Sequence, residues 1–367
     1  MALETLGPRS LGRATRARQL LLDRAARSPL DAVEHLVGLQ AQVPRDPYVA
    51  LWSRLDGFRP ESLSLLLGDR ALVRSTVMRA TLHLVSADDC LTLRPLMQPV
   101  LDAELARHAE FAPHLAGVDL EPVLAHAREL LAERPLSGRE LRAGLAERFP
   151  GPDPAALAYA CRCKLPLVQV PPRGLWRRSA QVTTTTAETW LGRPLAKRAR
   201  LDDVVLRYLA AFGPATVADV TTWCRLTGMR DVVERLRPRL VTFRDSAGRE
   251  LLDLPDAPRP DPDTPAPIRF LPEYDNVLLS HADRSRFASG ADRAAGGPSG
   301  RVLGTVLHDG AVSAVWRDER TGDRVTVVVT PIVRLTKRAT SSIEAEGRRL
   351  ARFLADGAAA DVRVLSV

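Results

Sequence analysis

The chain of 367 residues has little of what would indicate a membrane, secreted or metal-organised protein. Its longest apolar stretch, Val325 to Val333, is interrupted by threonine and proline, whereas a membrane helix needs about 20 apolar residues in succession. The N-terminal residues show no basic flank followed by an apolar core, so no export signal is predicted. Of the four cysteines, the close pair Cys161 and Cys163 has no partner pair, which excludes a disulfide framework and a zinc knuckle. We therefore expect a soluble, cytoplasmic protein with reduced cysteines and no membrane partner.

Lysine is also scarce, although the chain is basic. There are 52 Lys and Arg against 44 Asp and Glu, and the only lysines are Lys164, Lys197 and Lys337. An excess of arginine is typical of proteins that bind a polyanion such as nucleic acid. Charge alone leaves one alternative open, an arginine-rich surface that reflects the base composition of the genome.

A pattern of three helices followed by two strands recurs along the chain and is clearest after Arg200. The segment LDDVVLRYLAAFG has apolar residues at helical spacing, and Thr216 is predicted to cap the second helix. A third helix ends before Pro238, and two strand-like segments follow, separated by residues 246–248. This order describes a winged helix, a helix-turn-helix variant whose wing often contacts nucleic acid.

Two further copies of the pattern precede this one. The middle copy contains the predicted helices EPVLAHARELLAE, GRELRAGLAERF and PAALAYACRCKL, with wing strands predicted at LVQVPP and LWRRS. The first copy is less regular, with a hairpin predicted in ALVRSTVMRATLHLVSADD. After a proline-rich linker that begins at Pro258, alternating apolar segments predict a small antiparallel barrel. A helix from Ser341 to Ala355 and the strand VRVLSV close the chain.

The predicted fold class is therefore α+β, mainly α, with three tandem winged-helix motifs and a C-terminal antiparallel β-barrel. The predicted regions are the three winged-helix regions 1–118, 119–198 and 199–257, and the β-barrel module 258–367.

Few motifs in the sequence carry chemistry. No Gly-rich phosphate loop follows a predicted strand, and no His-x-x-x-His or acidic cluster forms a metal site, so neither a cofactor nor a metal is predicted. His83, in the predicted strand ATLHLVS, is a candidate general acid or base. A single histidine on a strand is nevertheless more often structural or DNA-facing.

Gln40-Ala41-Gln42 is the motif that we single out. It follows a predicted helix and precedes Pro44, so its backbone is expected to be extended. Residues two apart in an extended segment point the same way, so both amides could face one point. Spacing alone does not distinguish this arrangement from two solvated surface glutamines.

Three segments of the chain together resemble the AlkZ-type family of bacterial DNA glycosylases, which includes YcaQ-like proteins. They are GLQAQVPRDPYVALWSRL, VRSTVMRATLHLVSADD and FLPEYDNVLLSHADRSRF, in this order. The resemblance implies three tandem winged helices in a C-shaped arrangement with a C-terminal β-barrel. It also implies excision of bulky alkylated purines, including unhooking of interstrand crosslinks, often as self-resistance to genotoxic antibiotics.

The family's catalytic motif is a glutamine, a small or apolar residue, and then glutamine or aspartate. Gln40 and Gln42 occupy these positions. Aspartate at the last position resembles the YcaQ-like branch, so glutamine there places this chain with the AlkZ-like branch that acts on antibiotic adducts. Ala41 is smaller than the usual middle residue, and we expect no change in chemistry from it.

Contacts to DNA are predicted for arginines within or beside these segments, although a single arginine of this chain is more often a solvated surface residue. The nominated residues are Arg45, Arg79, Arg284 and Arg286. Asp275 and Asn276 are equally consistent with an Asx-turn and with a functional site.

The sequence thus predicts a monofunctional DNA glycosylase that acts as a monomer, without metal or cofactor, on double-stranded DNA containing alkylated purines. An N7-alkylated guanine is cationic and leaves as a neutral base, so two amides that hold one water could be sufficient for hydrolysis. None of the three lysines lies in a family-like segment, so no lyase activity is expected. The alternative from another class is a winged-helix transcriptional regulator that binds DNA without catalysis.

Overall fold

The structure is a computed structural model that describes residues 3–287 and 303–366. Most of its N-terminal helices have a proline in the first turn, where no partner is needed for a backbone N–H. All of them except α5, which Ser86 caps, have proline in the first turn. They are α1 (Pro8–Arg18), α2 (Pro29–His35), α3 (Asp46–Arg54), α4 (Pro60–Gly68), α5 (Ala87–Leu96) and α6 (Gln98–Arg107).

The strands of this region are short, and one of them carries the start of the Gln-x-Gln motif. They are β1 (Thr5–Leu6), β2 (Leu39–Gln40), β3 (Leu72–Thr76) and β4 (Leu82–Ser86). Strands β3 and β4 pair antiparallel, which confirms the predicted hairpin. Strand β2 lies along β4, with Gln40 opposite His83.

The middle region has the predicted order of helices, and one of its two wing strands was predicted wrongly. Its elements are α7 (Glu121–Glu133), β5 (Leu136–Ser137), α8 (Gly138–Arg148), α9 (Pro154–Lys164), β6 (Leu167–Gln169), β7 (Thr183–Thr186) and α10 (Ala187–Leu191). The second strand of the wing is β7 rather than LWRRS. Trp176 of that segment packs instead against Tyr48 and Phe353, with ring centroids 4.9 and 5.2 Å away. The segment therefore connects the middle region to the first and C-terminal regions.

Strands of the first two regions form one sheet. Its order is β2-β4-β3-β6-β7-β5, with every neighbouring pair antiparallel. The link is the pairing of β3 with β6, where Arg74 lies opposite Gln169. The sheet therefore crosses the predicted boundary after residue 118, and the division into four regions stays a prediction.

The third region contains three helices and then an antiparallel strand pair, as predicted. Its elements are α11 (Leu201–Phe212), α12 (Val217–Cys224), α13 (Met229–Leu236), β8 (Val241–Asp245) and β9 (Glu250–Asp253). Thr216 caps α12 as expected. The N-terminus also packs here, because β1 pairs parallel with β8 and Arg18 forms a buried ion pair with Asp253 at 2.6 Å.

The C-terminal region is an open mixed sheet, so the predicted antiparallel barrel is wrong for the described residues. Its elements are β10 (Arg269–Leu271), α14 (Asn276–Leu279), β11 (Gly304–His308), β12 (Ala311–Thr321), β13 (Arg324–Pro331), α15 (Lys337–Ala355) and β14 (Ala359–Val364). The strand order is β10-β11-β12-β13-β14, and β14 runs parallel to β13. The cause is α15, since a helix between two neighbouring strands returns the chain to the same end of the sheet.

The architecture is thus α+β, as predicted, while the number of winged-helix motifs stays a prediction. Helix α15 packs Ile343, Leu350 and Leu354 against the C-terminal sheet. Within residues 3–287 and 303–366, no helix combines the length and apolar character needed to cross a lipid bilayer.

Candidate functional site

The Gln40-Ala41-Gln42 segment is fixed by the turn before it and by backbone hydrogen bonds. Gly38 has a φ of +90°, and a Cβ there would lie 2.8 Å from Val85 Cγ1, so the turn requires glycine. The Ala41 N–H donates to the Leu82 carbonyl at 2.8 Å, and the Ala41 carbonyl accepts from Arg74 Nη2 at 2.8 Å. The Ala41 side chain is fully buried, which explains why a small residue separates the glutamines.

Gln40 points into the protein, where four side chains form what we call the Arg79 cluster: Gln40, Arg79, His83 and Asn276. Arg79 Nη2 donates to Gln40 Oε1 at 2.8 Å and to Asn276 Oδ1 at 2.9 Å. Asn276 Nδ2 in turn donates to the Gly38 carbonyl at 3.0 Å. Because a guanidinium can only donate, it fixes the orientation of the Gln40 amide. The amide nitrogen is therefore the group that Gln40 can offer to a ligand.

Arg79 lies in the tight connection between β3 and β4, with a φ of +58° and only 8% of its surface exposed. Burial lowers the pKa of its guanidinium to about 10, so the group is still cationic at neutral pH. Its hydrogen-bond partners, including the Trp223 carbonyl at 3.2 Å, are neutral. The side chain is thus committed inside the protein in this structure, and its contact with the DNA backbone stays a prediction.

His83 is completely buried on β4. Burial, with a further contribution from Arg79, lowers the pKa of its imidazole to about 3. Nδ1 lies 2.9 Å from the Thr81 carbonyl and Nε2 lies 3.2 Å from Arg79 Nη2, which fits a neutral ring that donates from Nδ1 and accepts at Nε2. His83 therefore holds Arg79 in place as a neutral ring at neutral pH, and a direct role at the site or in DNA contact stays a prediction.

The buried histidine makes stability depend on pH. Between pH 6.5 and about 3 the unfolded chain binds a proton at His83 that the folded protein does not, so the free energy of unfolding falls as the pH falls through this window. When the pH is lowered from 7 to 5, we expect the free energy of unfolding of His83→Gln to fall by about 2 kcal/mol less than that of wild type. Urea unfolding at both pH values measures this difference. His114→Gln, at an exposed position, is the control.

The comparison between variants isolates His83 because other buried groups act equally in both proteins. Burial likewise lowers the pKa of His281, whereas burial raises that of Asp46 to about 8 and gives the opposite pH dependence. Identical pH slopes for wild type and His83→Gln would show that the folded imidazole titrates near its ordinary pKa.

Gln42 is exposed and lines a cleft of about 410 Å³, which we call the Gln42 cleft. One wall comes from the β3–β4 hairpin, with Thr76 and Leu82, and the opposite wall comes from the middle region. The two glutamines thus have different surroundings, since one is fixed inside and the other lies on a cleft. Whether both hold one water stays a prediction.

The other nominated arginines have mixed environments. Arg286 is 7% exposed and donates to Thr15 Oγ1 at 3.1 Å and to the Pro214 carbonyl at 3.0 Å, so it is held inside the protein, and its contact with DNA stays a prediction. Arg45 is half-buried and forms an ion pair with Asp318. Arg284 is exposed. Arg45 and Arg284 stay predicted DNA contacts.

Two interactions that support the site were not predicted from the sequence. They are the ion pair between Arg54 and Asp275 and the hydrogen bond from Arg74 to the Ala41 carbonyl. Arg54 and Asp275 form a fully buried bidentate pair with both N–O distances at 2.8 Å, across 221 residues of sequence. Asp275 also accepts from the Val277 N–H at 3.0 Å, which confirms the Asx-turn. Arg74, which holds the Ala41 carbonyl, gave no signal beyond an arginine at an inward position of a strand. In the described ranges no group of three or more His, Cys, Asp or Glu side chains forms a metal site.

The site lies within the part of the chain that matches a known protein family. A protein-family model described as DNA glycosylase AlkZ-like matches residues 33–353, which include Gln40, Gln42 and Asn276. The Streptomyces sahachiroi DNA glycosylase AlkZ has a similar structure, with a TM-score of 0.76 and 21% sequence identity over 98% of this chain and 100% of that one. At this identity the likeness shows a common fold. No curated protein sequence matches the chain.

Proposed function

The chain belongs to the AlkZ-like family of DNA glycosylases, and we propose that it is a monofunctional enzyme for cationic, N-alkylated purines in double-stranded DNA. The proposed substrates are bulky N7-alkylguanine adducts, including interstrand crosslinks that it would unhook as a monomer in the cytoplasm. A role in DNA repair or in self-resistance to a DNA-alkylating antibiotic follows from such an activity.

The observation that carries this proposal is that, among the described residues, no side chain of the Arg79 cluster can protonate a departing base near neutral pH. Arg79 is a cation with a pKa of about 10, His83 is neutral with a pKa of about 3, and Asn276 does not ionise. A neutral purine needs protonation to leave efficiently, whereas an N7-alkylated purine already carries the positive charge. The site therefore suits a substrate that supplies its own charge.

The orientation of the Gln40 amide suggests different roles for the two glutamines. Gln40 offers an N–H to the oxygen of the attacking water, because its own carbonyl oxygen is bonded to Arg79. Gln42, exposed on the cleft, offers its carbonyl oxygen as the acceptor for a water proton. Together they orient a water toward the oxocarbenium-like sugar that forms as the C1′–N bond breaks and the neutral base leaves; the C1′–O bond then forms and the proton of the water passes to solvent. Neither amide acts as a strong base.

The open setting of Gln42 fits a tethered base. Most glycosylases rotate the target nucleotide into an enclosed pocket. A crosslinked guanine stays attached to the opposite strand, so it needs a reactive group that is reachable without full extrusion. An exposed glutamine on a cleft that is open to solvent meets this requirement.

We expect the protein to release free base from duplex DNA carrying N7-methylguanine and to leave an intact abasic site. A lyase needs an amine nucleophile, and one of the three lysines, Lys164, is ion-paired with Asp102 at 2.9 Å. Released base is measured by chromatography, and strand breaks are measured before and after alkali. Unmodified duplex serves as the control.

Two results would count against the proposal in different ways. Strand cleavage without alkali, or a protein–DNA adduct trapped by borohydride, would show lyase chemistry. Tight DNA binding with no release of any alkylated base would favour the winged-helix regulator instead.

A further inference from the structure

We propose that the Gln42 cleft binds a planar aromatic substituent attached to the modified purine, and that Gln169 is a specificity-determining residue for it. This inference rests on the proposed function, because a purine removed beside Gln42 would carry its substituent toward the cleft that Gln42 lines. The occupant is an uncharged aromatic group that carries a hydrogen-bond donor.

The aromatic wall of the cleft provides a preformed stacking surface. Phe111 and Tyr159 both line the cleft, with ring centroids 4.8 Å apart. His108 packs against both rings, at 4.7 Å from Phe111 and 4.3 Å from Tyr159, so the three rings support one another. Flat ligands are favoured by such surfaces because aromatic rings stack in offset or tilted arrangements.

The size and remaining lining of the cleft fit a group much larger than methyl. Its volume of about 410 Å³ lies within the range of about 300–1,000 Å³ that is usual for small-molecule sites. Leu82, Leu141 and Val182 add apolar surface. A purine that carried a methyl group alone would leave this surface in contact with water.

Gln169 gives the cleft one unused acceptor. It lies on β6, opposite Arg74 on β3 and Thr184 on β7, and it lines the cleft together with Gln42. Its side-chain oxygen is buried and has no hydrogen-bond partner in the structure. A buried carbonyl oxygen without a donor is unfavourable, so a ligand hydroxyl or N–H would satisfy it.

Charge at the rim of the cleft restricts the occupant further. Arg142 and Arg162 are both exposed there, and the Arg162 guanidinium lies 5.5 Å from the centroid of the Tyr159 ring. A second cation on the same rings would be repelled by these groups. The cleft therefore favours uncharged aromatic substituents over cationic ones.

The first test fills the cleft and compares two duplexes, one with N7-methylguanine and one with N7-(naphthylmethyl)guanine. Ala158→Trp places a large side chain on the cleft wall, and Ala132→Trp, at an exposed position of α7 outside the cleft, is the matched control. We expect Ala158→Trp to slow single-turnover excision of the naphthylmethyl base at least tenfold more than it slows excision of the methyl base, whereas Ala132→Trp should not change the ratio of the two rates. Equal effects on both substrates, or none, would overturn the assignment.

The second test addresses Gln169 with a probe that carries a hydroxyl on the naphthyl ring. Gln169→Leu keeps a side chain of similar size and removes the acceptor. We expect it to slow excision of the hydroxylated probe several-fold more than excision of the unhydroxylated probe. If Gln169→Leu changed the rates for both probes by the same factor, or changed neither, Gln169 would not contact the substituent.

Affinity separates this inference from the proposed activity. Fluorescence anisotropy is expected to show tighter binding of the naphthylmethyl duplex than of the methyl duplex, with the difference lost in Ala158→Trp. If wild type excised neither base but kept this difference in affinity, the glycosylase proposal would fail and the cleft assignment would stand. If it bound both duplexes equally, the cleft assignment would fail.

Discussion

Replacing Gln42 by alanine is expected to slow single-turnover excision of an N7-alkylguanine about a hundredfold. Loss of one preorganised polar group in a catalytic site commonly costs about 3 kcal/mol of transition-state stabilisation. Gln42 is exposed, so the variant should fold and bind DNA like wild type. Gln40→Ala is expected to slow the reaction to a similar extent. Rates are measured at equal concentrations of folded protein, because this second change leaves Arg79 without one of its acceptors.

The double variant should be little slower than the slower single variant, since both amides act on one water and such effects are not additive. If both alanine variants excised the base at the wild-type rate, neither glutamine would be catalytic, and the DNA-binding regulator would become the better interpretation.

Replacement by acidic residues separates the roles of the two glutamines. Gln40→Glu can still accept from Arg79, but its carboxylate has no N–H, so we expect it to be as slow as Gln40→Ala. Gln42→Asp keeps an acceptor, so part of the activity should survive on small cationic adducts. A fully active Gln40→Glu variant would show that Gln40 does not act as a donor.

The parts of the fold that the sequence predicted well depend on local signals. Thr216 begins α12 through a capping box with Asp219, and both residues lie within four positions of each other. The β3–β4 hairpin joins strands that are close in sequence. Patterns of this kind specify a helix start or a hairpin almost independently of the rest of the chain.

The parts that were missed depend on distant contacts. Asn276 lies 197 residues from Arg79, and no spacing rule connects them. The predicted barrel failed because β14 pairs with β13 only after α15 has crossed the sheet. An alternating apolar pattern identifies strands, but it contains no information on which neighbour each strand joins.

Arginine is the residue type whose role composition predicts least. The excess of arginine indicates a polyanionic partner, yet Arg79 and Arg286 are buried and donate to groups within the protein. A guanidinium has five N–H donors and a long apolar stem, so the same residue can bind a phosphate at the surface or several carbonyl oxygens inside. Composition cannot distinguish these uses, whereas burial and hydrogen-bond partners do.

Asp275→Ala is expected to lower the free energy of unfolding by about 3–5 kcal/mol, because it leaves the Arg54 guanidinium buried without its counter-charge. Both side chains of the pair are at most 1% exposed. The change also removes the cap at the Val277 N–H, immediately beside Asn276. Urea unfolding followed by circular dichroism measures the loss, and Asp202→Ala, which breaks a more exposed pair with Arg235, should cost less than about 1 kcal/mol.

The same pair connects stability to the proposed chemistry. Arg54 ends α3, which follows the Gln-x-Gln motif, and Asp275 precedes the residue that accepts from Arg79. Folded Asp275→Ala protein is therefore expected to excise alkylguanine more slowly, because a displaced Asn276 no longer fixes Arg79 and the Gln40 amide. The double variant Arg54→Leu/Asp275→Leu should lose less stability than Asp275→Ala, since no buried charge is left uncompensated. If the double variant were less stable than Asp275→Ala, the intact ion pair would itself stabilise the fold. The loss in Asp275→Ala would then not come only from the unpaired charge of Arg54.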